Sequence, residues 1–171
     1  DDVVRMIADL SELLRRVLEQ GEATPPLREE VDIARRYLAI QEVRFAGKLK
    51  AAFAIDVAAT GIAVPALTLQ PLVDNAVRHG IAPSVHGGTI RVRASVDDSH
   101  LTLVVDNDGE GPGEGWIGET ATGTGLRNLR ARLQLLHGDR ASVTPEGRDD
   151  GFRVTVRIPR PDPQESPEAD T

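Results

Sequence analysis

Cysteine is absent from this chain, which rules out disulfides and thiolate metal sites and leaves the redox compartment open. Aromatic residues are scarce: three Phe, one Trp and one Tyr among 171 residues, so Leu, Val, Ile and Ala must fill the interior. No apolar run approaches the ~20 residues needed to span a bilayer, and no signal peptide is visible. Basic residues are outnumbered, and the net charge of −7 with a pI near 5.1 argues against nonspecific binding to nucleic acid or an anionic membrane. An initiator Met is missing and the chain opens inside a helical pattern, so it reads as a soluble piece of something longer. What is present suffices for one domain with a core and a helical extension, since 40% of the residues are hydrophobic.

Val3, Val4, Ile7, Leu10, Leu13, Leu14, Val17 and Leu18 recur at three- and four-residue spacing and predict an amphipathic helix over 2–20, closed by Gly21. Its apolar stripe needs a partner, which makes it a candidate dimerisation helix. Thr24-Pro25-Pro26 breaks the chain. A second helix is expected over about 27–46, with Val31, Ala34, Leu38, Ile40 and Phe45 apolar and Glu29, Glu30 and Asp32 in its first turn. From Leu49 the period changes, and 49–57 reads as a strand. Val64-Pro65 opens a helix that contains Asn75, and 80–88 is a loop. Strands follow over 89–96 and 101–105, then a long glycine-rich loop over 107–125. Leu126, Leu129, Leu133, Leu135 and Leu136 mark another helix ending near Gly138, before final strands at about 140–145 and 151–158. After Pro159 the chain is Pro-, Glu- and Asp-rich and reads as a disordered tail. Irregular interleaving of helices and strands points to an α+β fold, a two-layer α/β sandwich with helices on one face of a mixed sheet.

The segment from Leu69 to Gly80 carries the most chemistry. Asn75 and His79 stand four residues apart with Arg78 between them, so the three share one helix face, while Leu69, Leu72, Val73 and Ala76 fall largely on the other. An amide, an imidazole and a guanidinium so placed suit a metal-bridged polyphosphate, the Asn oxygen as a hard magnesium ligand and the cations as phosphate donors. The plainer alternative is a polar face that meets water. Further along, Leu101, Leu103 and Val105 alternate, and continuing that alternation puts Asn107 on the inward face at the strand end. There it can hydrogen-bond an exocyclic amine of a base, with Gly109 and Gly111 allowing close backbone approach. Thr122-Gly123-Thr124-Gly125-Leu126 runs straight into a helix, and amides of a glycine turn at a helix N-terminus form an anion site. Each signal alone is weak. Their order, polar helix, Asx-Asp-Gly-x-Gly strand end, lid, glycine turn, is what makes them informative.

That order, and the residues filling it, resemble the C-terminal part of an autolysin-sensor (LytS-like) sensor histidine kinase. Its ATPase superfamily is shared with DNA gyrase, the heat-shock chaperone ATPase and MutL. The resemblance spans about 3–159 and is carried by Met6-Ile7-Ala8-Asp9-Leu10, Tyr37-Leu38-Ala39-Ile40-Gln41 with Arg44-Phe45, Pro65 through Gly80, and Gly123-Thr124-Gly125-Leu126-Arg127-Asn128-Leu129. It implies a Bergerat-type ATP-binding fold and protein histidine kinase activity, with ATP and Mg2+ as cofactors. Asn75 would ligate the magnesium, Arg78 and His79 would lie near the phosphates, and Asp74 would orient a water or the metal. Asn107, Asp108, Gly109 and Gly111 would line the adenine pocket. Thr122, Gly123, Thr124, Gly125, Leu126 and Asn128 would close the lid on the phosphates. The resemblance further implies a homodimer in the intact protein, a response regulator as partner, no nucleic acid, and a cytoplasmic portion of a membrane-anchored parent. Domain boundaries follow: 1–22 from the dimerisation and phosphotransfer helices, 23–159 the ATPase domain, 160–171 the tail.

Three departures matter. The adenine-recognising position is usually Asp, and here it is Asn107; the first glycine of the phosphate turn is Ala121. The acceptor histidine of the family lies in an Asn-Pro-His-Phe motif upstream, and His79, His86, His100 and His137 have the wrong context to replace it. The piece is therefore expected to bind ATP without phosphorylating itself. Two rival readings stand beside this one. An ATP-hydrolysing clamp would want a Glu four residues before Asn75, where Pro71 stands. A dimerisation module with a decayed nucleotide site is motivated by Asn107 and Ala121.

Overall fold

The computed structural model describes residues 24–109 and 123–160. The first predicted helix, most of the glycine-rich loop and the acidic tail lie outside the described residues.

Helix α1 spans Leu27–Arg44, starting where Pro26 ends an extended entry. Two amides of its first turn are satisfied from a distance: Leu27 N donates to Ile62 O at 2.8 Å and Arg28 N to Thr60 O at 2.9 Å. Its stripe of Leu27, Val31, Ala34 and Leu38 is buried. Five strands follow the alternating segments: β1 Leu49–Ile55, β2 Gly88–Val96, β3 His100–Asn107, β4 Ser142–Arg148 and β5 Gly151–Pro159. They form one sheet in the order β1-β2-β3-β5-β4, in which β1 and β2 are parallel and the other neighbours antiparallel. A parallel pair needs a crossover. Helix α2, Gln70–Asn75, supplies it and continues as a π-helical turn, Ala76–Ile81. Helix α3, Thr124–His137, leads into β4 and ends at Gly138, whose φ of 58° serves as the cap.

The helices lie on one face of the mixed sheet, as the periodicities predict. Ile90, Val92, Leu101, Leu103, Val105, Val154 and Val156 of the sheet are buried with Leu38, Leu72, Val77, Leu129 and Leu133 of the helical layer. Each fully buried Leu contributes about 1.5–3 kcal/mol, so aliphatic packing makes good the lack of aromatics. The opposite face of the sheet is polar. Asp106 is only 4% exposed there because Arg91, Arg93 and Arg153 close over it.

Two local expectations are corrected. The helix expected from Pro65 begins only at Gln70, because Leu67 adopts φ 58° and Pro71 occupies the first turn. Leu135 and Leu136, counted as core markers of α3, are exposed, and its buried side is Leu126, Leu129 and Leu133.

Candidate active site

The three sequence-distant motifs meet around α2 and its π-helical turn. Asn75, the last residue of α2, is half-buried, whereas Arg78 and His79 are exposed on the turn that follows. The turn closes with an i→i+5 bond, Ala82 N to Val77 O at 2.8 Å. Such wide turns recur at functional sites because they displace the backbone from the regular helical path. Gly80 lies within this turn. A Cβ on Gly80 would sit 2.1 Å from Asn107 Nδ2, so the helix backbone presses directly on the side chain at the end of β3. Gly109 completes the contact, since its own Cβ would sit 2.1 Å from Gly80 O. Both positions require glycine for this close approach.

Asn107 is 3% exposed and faces the helical layer, as the strand alternation predicts. The two acids beside it turn elsewhere. Asp106 lies under arginines on the opposite face, with Arg93 as its nearest partner. Asp108 accepts from Thr89 N and pairs with Arg91 Nη2 at 2.6 Å, so it is engaged with β2 rather than with Asn107. Partial burial pushes its pKa up, but the Thr89 amide and the Arg91 guanidinium outweigh it and hold the carboxyl below the ordinary range. Of the residues expected to line a base, Asn107 and Gly109 are brought together and Asp108 is not. Gly111 and Thr122 lie outside the described residues.

The start of α3 reaches the same place from the other side. Gly123 is its N-cap, and a Cβ on Gly125 would meet Pro71 Cβ at 3.5 Å, which sets the α3 N-terminus against the start of α2. Gly123, Thr124 and Gly125 are exposed, Leu126 is buried in the core, and Asn128 points outward. The amides of this turn, rather than the Leu126 side chain, are what it offers to an anion.

Three residues without an expected role prove to hold α2 in place. The Tyr37 hydroxyl of α1 donates to Asp74 Oδ1 at 2.9 Å, while Arg78 Nη1 stands 3.8 Å from Asp74 Oδ2. Burial, then the adjacent Asp74 charge, pushes the Tyr37 pKa upward and keeps the hydroxyl a donor. Glu30, read in the sequence only as a first-turn acid, is buried at 4% exposure. Its carboxyl accepts from Leu67 N at 2.7 Å and from Leu69 N at 2.9 Å, holding the left-handed turn that precedes α2. Burial raises its pKa against the lowering effect of those amides and of Arg132. Arg132 of α3 donates to Leu67 O at 3.2 Å, so α1 and α3 grip the same turn. The signal available in the sequence was position: Glu30 stands three after Leu27 and four before Ala34, on the apolar stripe.

Comparison with known proteins agrees with this fold. The profile of the histidine kinase-, DNA gyrase B- and HSP90-like ATPase family matches residues 65–162, and a histidine kinase profile matches 1–49. Sensor histidine kinase YesM of Bacillus subtilis is 31% identical over 160 residues, covering 92% of this chain and 28% of that protein. Sensor protein LytS of Staphylococcus haemolyticus is 29% identical over 165 residues, covering 91% and 28%. The chain thus spans little more than a quarter of the length of these relatives. Among solved structures, the catalytic domain of histidine kinase ThkA superposes with a TM-score of 0.62 at 18% identity, covering 79% of this chain and 94% of that one. ThkA in complex with response regulator protein TrrA gives 0.59 at 14%, covering 93% and 49%. At these identities the structures speak to the fold. The ATPase profile, which matches more than half of the chain, goes further: the chain belongs to the histidine kinase-, DNA gyrase B- and HSP90-like ATPase family.

Proposed function

We propose that this chain binds ATP for a sensor kinase that passes the γ-phosphoryl group to a histidine and thence to an aspartate of a response regulator. The observation that carries the reading is the meeting of three motifs. The Asn75–His79 segment, the inward end of β3 and the glycine start of α3 converge through Gly80 and Pro71. In this reading the Asn75 oxygen is the protein's ligand to magnesium. Arg78 and His79 donate to phosphate oxygens, Asn107 and Gly109 border the base, and the Gly123–Gly125 amides face the phosphates. Asp74, steadied by Tyr37, orients a water or the metal's shell.

The donor set suits magnesium. Among the described residues no cluster of three His, Cys, Asp or Glu could hold a cation unaided. Magnesium takes few protein oxygens and completes its shell with phosphates and water. When bound it neutralises charge that develops on the transferred group; the chain's own task is to position the nucleotide and to supply donors. The acceptor histidine comes from outside these 171 residues, because none of the four histidines stands in an acceptor context. Residues 1–22 belong to the dimerising helices, 23–159 to the ATPase domain and 160–171 to a tail. The ThkA complex with TrrA supports a response regulator as partner. No described helix is long and apolar enough to cross a membrane. The portion described is assigned to the cytoplasmic side of a membrane-anchored parent.

Calorimetric titration with a non-hydrolysable ATP analogue tests the reading, with and without magnesium, on the wild type and on Asn75→Ala. Magnesium-dependent binding that Asn75→Ala abolishes is the expected result. Absence of binding at millimolar analogue overturns it in favour of a module with a decayed site.

A further inference from the structure

The side chain at the end of β3 is unusual in what it leaves open. Asn107 is 97% buried by its 3% exposure, yet no hydrogen-bond partner takes its amide nitrogen among the described residues. Its backbone is fixed, paired with Ile90 on one side and Phe152 on the other. Gly80 lies against the amide plane, its virtual Cβ falling 2.1 Å from Nδ2 and 2.8 Å from Oδ1, and offers only a Cα there. The neighbouring acids, which could otherwise have dictated its orientation, are committed to Arg91 and Arg93. A buried polar group without a partner calls for explanation. No described partner holds the nitrogen, so turning the amide by a half-rotation exchanges donor for acceptor without breaking a bond to that atom.

That exchange has a consequence at a base edge. A 6-amino purine presents an N–H donor at position 6 beside the N1 acceptor, and a 6-oxo purine presents the reverse, an O6 acceptor beside an N1 donor. A carboxylate only accepts, so opposite position 6 it favours the amino purine and repels the oxo group. An amide matches either edge: Oδ1 to the amino group with Nδ2 to N1, or Nδ2 to O6 with Oδ1 to the N1 proton. We propose that Asn107 makes this nucleotide site tolerant of both 6-amino and 6-oxo purine nucleotides, where an acid at the same place would select the 6-amino class. The inference rests on the nucleotide site proposed above and specifies its substrate class.

The test compares ADP with inosine diphosphate, both with magnesium, by calorimetry on the full chain, for the wild type and for the isosteric Asn107→Asp. Wild-type affinities within about tenfold of each other, widening to about a hundredfold in favour of ADP in Asn107→Asp, are expected. A wild type that binds ADP and rejects inosine diphosphate by a hundredfold or more overturns the inference and leaves the nucleotide site standing. Binding of neither nucleotide overturns both. The wild-type ratio decides the matter even where burying a carboxylate prevents Asn107→Asp from folding.

Discussion

Glu30→Ala is the sharpest test of how α2 is held. The carboxyl accepts from two amides, half-buried Leu67 N at 2.7 Å and buried Leu69 N at 2.9 Å, in a turn where Leu67 sits at φ 58°. Truncation leaves both amides without an acceptor, at about 1–3 kcal/mol each, and strips half-buried Arg132 of its opposing charge. Relief of the cost of burying a carboxylate offsets part of this. A net loss of about 3 kcal/mol at neutral pH follows, out of the ~5–15 typical of such domains. Urea unfolding followed by far-UV circular dichroism reads it, with Glu29→Ala, one residue away and exposed, as a control within about 0.5 kcal/mol of wild type. Because burial raises the folded pKa above 4.5, the titration adds stability that is full below that pH and is lost as pH rises through the folded value. The gap to Glu30→Ala therefore narrows from acid to neutral pH. A Glu30→Ala loss below about 1 kcal/mol would refute the argument, since the turn would then hold without its acceptor.

Three further outcomes follow from the same geometry. Gly80→Ala drives a Cβ to 2.1 Å from Asn107 Nδ2, so it should cost at least about 1–3 kcal/mol and weaken nucleotide binding about tenfold; thermal melting and calorimetry check both, and unchanged affinity counts against the site. Tyr37→Phe keeps the ring and removes the 2.9 Å bond to Asp74, for which a loss of about 1 kcal/mol in urea unfolding is expected. Asp97 accepts from the amides of Ser99 and His100, which lower its pKa from 3.8 to about 2. The stability it adds is complete above pH 3.8 and lost as pH falls through about 2. Melting curves of wild type and Asp97→Asn should therefore converge at the acid end; a constant gap would remove the turn's amides as the cause.

Much of this was legible because two periodicities are imposed by covalent geometry. Alternation through Leu101, Leu103 and Val105 was enough to put Asn107 inward, and the structure finds Asp106 on the reverse face under its arginines. Asn75 and the glycine start of α3 stood out as candidates because short polar motifs interrupt apolar patterns. The engagement of Asp108 with Thr89 and Arg91 was not legible for a complementary reason: both lie on the neighbouring strand, and no local pattern records a cross-strand pairing.

Alone, the sequence determined the α+β class, the strands, the inward side chain at the end of β3, and the family to which the order of motifs belongs. All of these depend on residues within a few positions of one another, where backbone geometry dictates direction. The tertiary structure alone decided that α2 starts at Gln70, that Glu30 and Arg132 grip the turn before it, and that Tyr37 holds Asp74. It also decided that Gly80 must be glycine because Asn107 occupies the place of its side chain. Those pairings join residues far apart in the chain, and they form only because burying the aliphatic stripes brings the layers together and leaves each enclosed polar group needing a partner.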